Sequence, residues 1–332
     1  MSIKGETGRA MHLRRGSKTV ARLGLILATS SLAACSQIAG VQALFKFKQA
    51  NQAYQVQNYT RAAELYEETI AANPEMNTVY FYLGNSYDNL YKPSERGQAA
   101  NDALIQKAVE NYTKAVEKLS ATDPVEANIK TLALQYLMAA YGSERLDDPV
   151  RAEPVIINLI EANPTDPTYY HQLAKLYEDA AEYDAAEKVY VAAREAKPTD
   201  PIVYMQLAGF YGRMGDFPKT IQAFEQRAEQ EPNNPEAFYT IATQYWDQAY
   251  RGAGVRDEDK KSYVDKGIAA IDKAIQIRPD YVEALVYKNL LLRLQANLET
   301  NPARQQALIK QADQYRDQAE EIRKKKATGV GN

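Results

Sequence analysis

Cysteine is almost missing from this chain. Its 332 residues include one, Cys35, beside two histidines and one tryptophan. After residue 34 the only imidazole is His171, so zinc sites built from Cys and His, and a Cys–His catalytic pair, are excluded. A Ser–His–Asp triad would need His171, which lies between Tyr170 and Gln172 on a helix face. Long apolar runs are absent too. The longest, Leu23–Leu32, is about half the ~20 residues a membrane-spanning helix requires. Gly252-Ala253-Gly254 has no strand before it and makes no phosphate loop. Asp257-Glu258-Asp259 lacks the alternation and glycine of a calcium loop and reads as first-turn helix charge. No catalytic residue, metal ligand or cofactor site is expected, and the chain does not read as an enzyme.

What is present is a period. Pro-Thr-Asp-Pro stands at 164–167 and again at 198–201, and Pro-Asn-Asn-Pro at 232–235, each 34 residues after the last. A fixed period of this length denotes a stacked repeat array. Within 167–198, Asp166 caps and Pro167 opens a first helix, with Tyr170, Leu173, Ala174 and Tyr177 on one face. Tyr183, Ala186, Tyr190 and Ala193 mark a second helix. Small Ala174, Ala186 and Ala193 let the two backbones approach, and aromatic rings fill the space beside them. The 24 tyrosines are thereby read as packing residues whose hydroxyls reach the solvated edge.

Those residues resemble the tetratricopeptide repeat, strongly over 167–200 and 201–234 and well over 43–76, where Ala50, Tyr54, Tyr59, Ala62, Tyr66 and Pro74 fit. Units 77–123 and 235–279 fit at both ends around an insertion, 124–164 is degenerate, and about 282–326 lacks the small-residue signature, as an end repeat can. The resemblance implies an all-α fold, a right-handed α-solenoid of about seven helix pairs over residues 43–326, with 327–332 as a disordered tail.

The start of the chain reads as an address. Arg14, Arg15, Lys18 and Arg22 precede the apolar run, and Leu32-Ala33-Ala34-Cys35 closes it. That ending resembles the bacterial lipobox, which implies a cleaved lipoprotein signal peptide over 1–34 and lipid on Cys35. Met11 would serve as a start codon as well as Met1. Ser36 after the cysteine favours the outer membrane by the same resemblance, with inner-membrane placement still open. Residues 35–42 read as a short lipidated tether. Removing 1–34 takes a net +5 from a chain of net −3 and leaves −8, which argues against nucleic acid as a partner. The basic run Arg323–Lys326 closes the last helix.

In tetratricopeptide arrays the first helices line the concave face. By that resemblance the partner-binding positions are Phe47, Asn51, Tyr54, Phe81, Asn85, Asp88, His171, Lys175, Glu178, Met205, Arg213, Tyr239 and Trp246. Asn51 and Asn85 match the asparagines of the carboxylate-clamp subclass, whereas Phe47, Leu132 and Tyr136 stand where its basic residues belong. Tyr87 to Ala108 is 21 residues and Tyr245 to Gly267 is 22, against 9 from Tyr177 to Ala186. The insertions are expected to lengthen both helices of each hairpin by about six residues, roughly 9 Å. They carry Tyr91, Trp246 and Tyr250, either as packing residues or as a partner site. The expected function is a lipid-anchored scaffold at the periplasmic face that binds proteins of an envelope assembly. A glycan-holding role in polysaccharide export is the alternative.

Overall fold

The computed structural model describes residues 39–328, so Cys35 and the signal segment lie outside the described residues. Among these are fourteen α-helices and no strand. They are α1 (39–55), α2 (Tyr59–Ala72), α3 (Thr78–Leu90), α4 (Ala99–Lys118), α5 (Pro124–Tyr141), α6 (Pro149–Ala162) and α7 (Pro167–Asp179). There follow α8 (Tyr183–Ala196), α9 (Pro201–Arg213), α10 (Phe217–Gln230), α11 (Pro235–Arg251), α12 (Asp257–Ile277), α13 (Val282–Asn297) and α14 (Pro302–Ala327). Paired in order they make the seven helix pairs of an α-solenoid. α1 takes in residues 39–42, which the sequence reading gives to the tether. The chain forms two compact units, one up to Leu159 and one from Ile160.

The repeated turn chemistry is visible at the pairs opened by α7, α9 and α11. Asp166, Asp200 and Asn234 accept the backbone N–H two residues on, at 2.9–3.0 Å, and proline follows each of them. The cap satisfies a donor the helix would otherwise leave open, and proline there loses no bond. Tyr80, Tyr170 and Tyr204 donate their hydroxyls to the carbonyls of Pro74, Pro164 and Pro198, at 3.3, 2.9 and 2.7 Å. These hydroxyls tie the helix to the preceding turn, a use the sequence reading, which sent them to the solvated edge, does not foresee.

Small residues sit where helices cross. Ala174 and Ala186 are fully buried and Ala208 nearly so. Tyr66, Tyr112 and Tyr190 occupy one position of the second helix in three pairs, each at 0 % exposure. Burial of such a side chain stabilises by about 1.5–3 kcal/mol.

The first insertion differs from expectation. α3 keeps 13 residues, the length of α7 and α9. The extra chain instead makes a connector with a 3-10 turn at Pro93–Glu95 and lengthens α4 to 20 residues, against 14 in α8. Asn101 is the reason the connector holds. It is buried, and its amide donates to the Lys92 carbonyl (3.0 Å) while accepting the Lys92 N–H (2.9 Å). The second insertion does lengthen both helices, to 17 residues in α11 and 21 in α12.

Candidate functional site

The first helices bring the sequence-selected residues together in three groups. In the N-terminal unit, Phe47 on α1 lies 6.1 Å from the Tyr66 ring and 6.3 Å from Tyr82. Asn51 accepts from the Tyr66 hydroxyl at 2.7 Å. Tyr54 donates to Asn85 Oδ1, and burial, with the neighbouring tyrosines Tyr136, Tyr59 and Tyr82, pushes its phenol up to about 12. Asn85 Oδ1 also accepts from Asn89 (2.8 Å), and its amide donates to the Tyr112 hydroxyl at 3.3 Å. Tyr112 in turn donates to Asp88 Oδ2 (3.3 Å), and Arg145 from the α5–α6 loop pairs with Asp88 Oδ1. Phe81 packs 5.9 Å from Tyr136, which stacks on Tyr112 at 5.3 Å.

This network corrects part of the expected site. Phe81, Asn85 and Asp88 are 7, 3 and 7 % exposed, so they build the wall rather than present themselves to a partner. The oxygen of Asn51 and both functions of Asn85 are engaged inside the fold, which leaves the carboxylate clamp without its asparagine pair. Tyr91, placed on a projecting hairpin by its spacing, is 6 % exposed.

The second group belongs to α7, α8 and α9. Arg213 makes two bonds of 2.8 Å to Glu178, and the Tyr190 hydroxyl donates to Glu178 Oε1 at 2.8 Å. Burial pushes the Glu178 carboxyl up, but the bonds from Arg213 and Tyr190 outweigh it and hold it below the usual range. His171 Nδ1 lies 3.2 Å from the Tyr190 hydroxyl, and burial, then the Arg213 charge, keep its imidazole below its ordinary value. Lys175 pairs along the helix with Asp179 at 2.9 Å.

The third group is an aromatic row on α11 and α13. Tyr239 lies 5.3 Å from both Tyr281 and Tyr287, Tyr287 lies 5.6 Å from Trp246, and Trp246 stacks on Tyr250 at 4.9 Å with 15° between the rings. Tyr250 is 64 % exposed. Met205, 34 residues before Tyr239 and in the same repeat position, is also exposed, as is Ile202. The pair Arg251–Asp247 (3.1 Å) makes a charged rim. This is the one group in which large apolar side chains both converge and face solvent. Tyr281 and Tyr287 escape sequence selection because their repeat lacks the small-residue signature that sets the register.

The two insertion-bearing pairs share an outer groove between second helices. In one, about 560 Å³, Glu225 faces Lys266 and Lys273 across Phe238, Ile241 and Tyr245. In the other, about 310 Å³, Glu67 faces Lys107 and Lys114 across Tyr80, Leu83 and Tyr87. Lys107 lies over the Tyr87 ring at 4.7 Å and Lys273 over Phe238 at 5.3 Å, so the ammonium groups largely serve the aromatic floor. No described helix is long and apolar enough to cross a membrane.

One tetratricopeptide-repeat family model matches residues 47–116 and another matches residues 167–210. The chain is a tetratricopeptide-repeat protein. Solved structures similar to it include the C-terminal part of a TPR repeat-containing protein from Cytophaga hutchinsonii, at 18% identity over 80% of this chain and 93% of that one (TM-score 0.47). MamA from Desulfovibrio magneticus RS-1 is 13% identical over 58% of this chain and 95% of its own (TM-score 0.36). YrrB, described as a TPR protein with an unusual peptide-binding site, is 19% identical over 72% of this chain and 88% of its own (TM-score 0.30). Among curated proteins none matches this chain. Tetratricopeptide-repeat proteins are generally non-catalytic, and the repeats support a protein–protein interaction scaffold.

Proposed function

We propose that this tetratricopeptide-repeat protein is a lipid-anchored scaffold at the periplasmic face of the cell envelope, probing a protein partner with the aromatic row of α11 and α13. The anchor in this reading is Cys35, carried by the lipobox-like Leu32-Ala33-Ala34-Cys35. The observation that carries the partner site is Tyr250, which is 64 % exposed yet stacked on Trp246. A ring held in place before binding loses little freedom on binding, and aromatic anchors of this kind dominate protein interfaces. Exposed Met205 and Ile202 extend the apolar surface, and Asp247 and Arg251 border it, the pattern of an apolar centre with a polar rim.

The test is recovery of partners from detergent-solubilised envelopes. Tyr250→Ala and Trp246→Ala should each lower the yield, by about thirtyfold in affinity if either anchor contributes the ~2 kcal/mol typical of an interface hot spot. Equal recovery by both variants, with unchanged helical signal, would remove the row from consideration. The same exposed ring face suits a sugar, which keeps the glycan-holding reading open. Captured material that survives protease and is lost to glycan oxidation would favour it.

A further inference from the structure

The solenoid's first helix carries three exposed apolar residues on one face. In later pairs the place of Phe45 is taken by Val79, Tyr169, Val203 and Ala237, all at most 6 % exposed, and α3, α9 and α11 each pack on the second helix of the preceding pair. No described pair precedes α1, and Phe45 is 63 % exposed. An uncovered end of a repeat array is ordinarily polar. α1 follows that rule at Lys48, Gln49 and Gln52, all exposed, but breaks it at Val41 (68 %), Leu44 (61 %) and Phe45. Spaced i, i+3 and i+4, these three share one face. The place of Val41 is filled elsewhere by Glu75, Thr122, Thr165, Thr199 and Asn233, and that of Leu44 by Thr78, Thr168 and Glu236, with single exposed apolar residues there only at Val125 and Ile202. At the other end of the chain α14 obeys the rule, since no large hydrophobic residue on it is exposed.

We infer that the Val41–Leu44–Phe45 face of α1 seats on the phospholipid surface of the membrane. The inference rests on the reading that Cys35 is lipidated. Val41 is six residues beyond Cys35, within about 21 Å even if the intervening chain is fully extended. A lipid on Cys35 therefore confines this face to the depth of the headgroups, where an amphipathic helix buries its apolar side. Exposed Lys48 follows one turn later on that side, with its charge suited to an anionic headgroup. The seat would orient the array on the bilayer, which acyl chains alone leave free to swivel.

The experiment uses the full chain, processed and purified from membranes, with Trp246→Phe to remove the native indole. Phe45→Trp provides a reporter on the face, and Tyr183→Trp, at an exposed site of the other unit, provides the control. Each protein is reconstituted into phosphatidylethanolamine–phosphatidylglycerol vesicles with or without brominated acyl chains, and its N-terminal peptide is weighed by mass spectrometry. The expected result is acylated Cys35, blue-shifted emission of the Phe45→Trp protein, and quenching about twofold or more above that of the control. Acylated protein with equal quenching at both sites overturns the seat and leaves the anchor standing. Acylated protein that is unquenched but dimeric by light scattering assigns the face to a second copy and also overturns it. A peptide without lipid overturns the anchor reading, and the seat falls with it.

Discussion

Glu178 holds in the fourth helix pair the place that Asp88 holds in the second. Each stands eight residues after the tyrosine that ties its helix to a proline carbonyl, Tyr170 or Tyr80. Each accepts from the buried tyrosine of its own second helix, Tyr190 or Tyr112, and each pairs with an arginine of the following pair, Arg213 or Arg145. The outcome differs. Burial raises the Asp88 carboxyl above its ordinary range in spite of Arg145, whereas the bonds from Arg213 and Tyr190 carry Glu178 below it.

Opposite pH responses follow. Glu178, depressed in the fold, contributes stability above the unfolded glutamate pKa of about 4.3 and loses it as pH falls through its lower folded value. Glu178→Gln should thus cost about 1.5–3 kcal/mol near neutral pH and progressively less in acid. Asp88, raised in the fold, is a charged burden above its folded pKa and is relieved as pH falls through that value toward the unfolded one. Wild type should therefore gain on Asp88→Asn as pH is lowered from 7. Parallel denaturant midpoints for the wild type and both variants across pH 3.5–7 would contradict both assignments.

The turn inside each pair supplies a second prediction. Gln57, Ala181 and Gly215 occupy the same place, with φ of 59°, 59° and 72°, and each donates its N–H to the carbonyl three residues back. A side chain in this left-handed region costs roughly 1–2 kcal/mol, which glycine avoids. Gln57→Gly and Ala181→Gly should each raise stability by about 1 kcal/mol, and Gly215→Ala should lower it by a like amount. A melting temperature that falls on Ala181→Gly would count against this turn.

The helical period and the proline-capped turns are legible because successive pairs must solve the same local problem, and at α7, α9 and α11 the same residues solve it. The buried contacts that define the site are less so. Arg145 lies in the irregular 142–148 loop, so no period announces that it will reach Asp88. Phe81 and Asn85 stand on the expected face, yet spacing does not reveal that Tyr82, Tyr112 and Tyr136 close around them. Spacing alone divides the first insertion evenly between two helices. Asn101 decides otherwise by fixing the Lys92 backbone, a contact between residues whose proximity depends on the fold already formed.

Two helical glycines should respond to alanine with opposite signs. A Cβ on Gly84 would meet the fully buried Tyr112 ring at 2.9 Å and the Ala108 carbonyl at 3.1 Å, and neither has room to withdraw. Overpacking of that kind costs about 1–3 kcal/mol, more than the ~1 kcal/mol alanine returns in helix propensity. At Gly209 the nearest atom is Arg213 Nη1 at 3.4 Å, an ordinary van der Waals distance. Gly84→Ala should therefore destabilise, and Gly209→Ala should stabilise by up to about 1 kcal/mol. Chemical denaturation of the two variants side by side checks the pair, and a stabilised Gly84→Ala would refute the close α3–α4 crossing.

Tyr91 and Tyr250 share an aromatic ring and an insertion-bearing repeat, but the structure gives them different work. Tyr91 caps α3, is 6 % exposed, and donates its backbone N–H to Tyr87 and Asp88 at the start of the connector that Asn101 holds. Removing its ring leaves a void where the chain cannot close up, which for a large aromatic costs about 3 kcal/mol or more. Tyr250 is 64 % exposed and has Trp246 as its stacking partner, so its loss should cost the fold about 1 kcal/mol or less. Urea titrations of Tyr91→Ala and Tyr250→Ala, followed by circular dichroism, should separate clearly, with only the first moving the N-terminal unit's transition. If Tyr91→Ala unfolds at the wild-type midpoint, the ring is not part of the core, and the first insertion returns as a surface for partners.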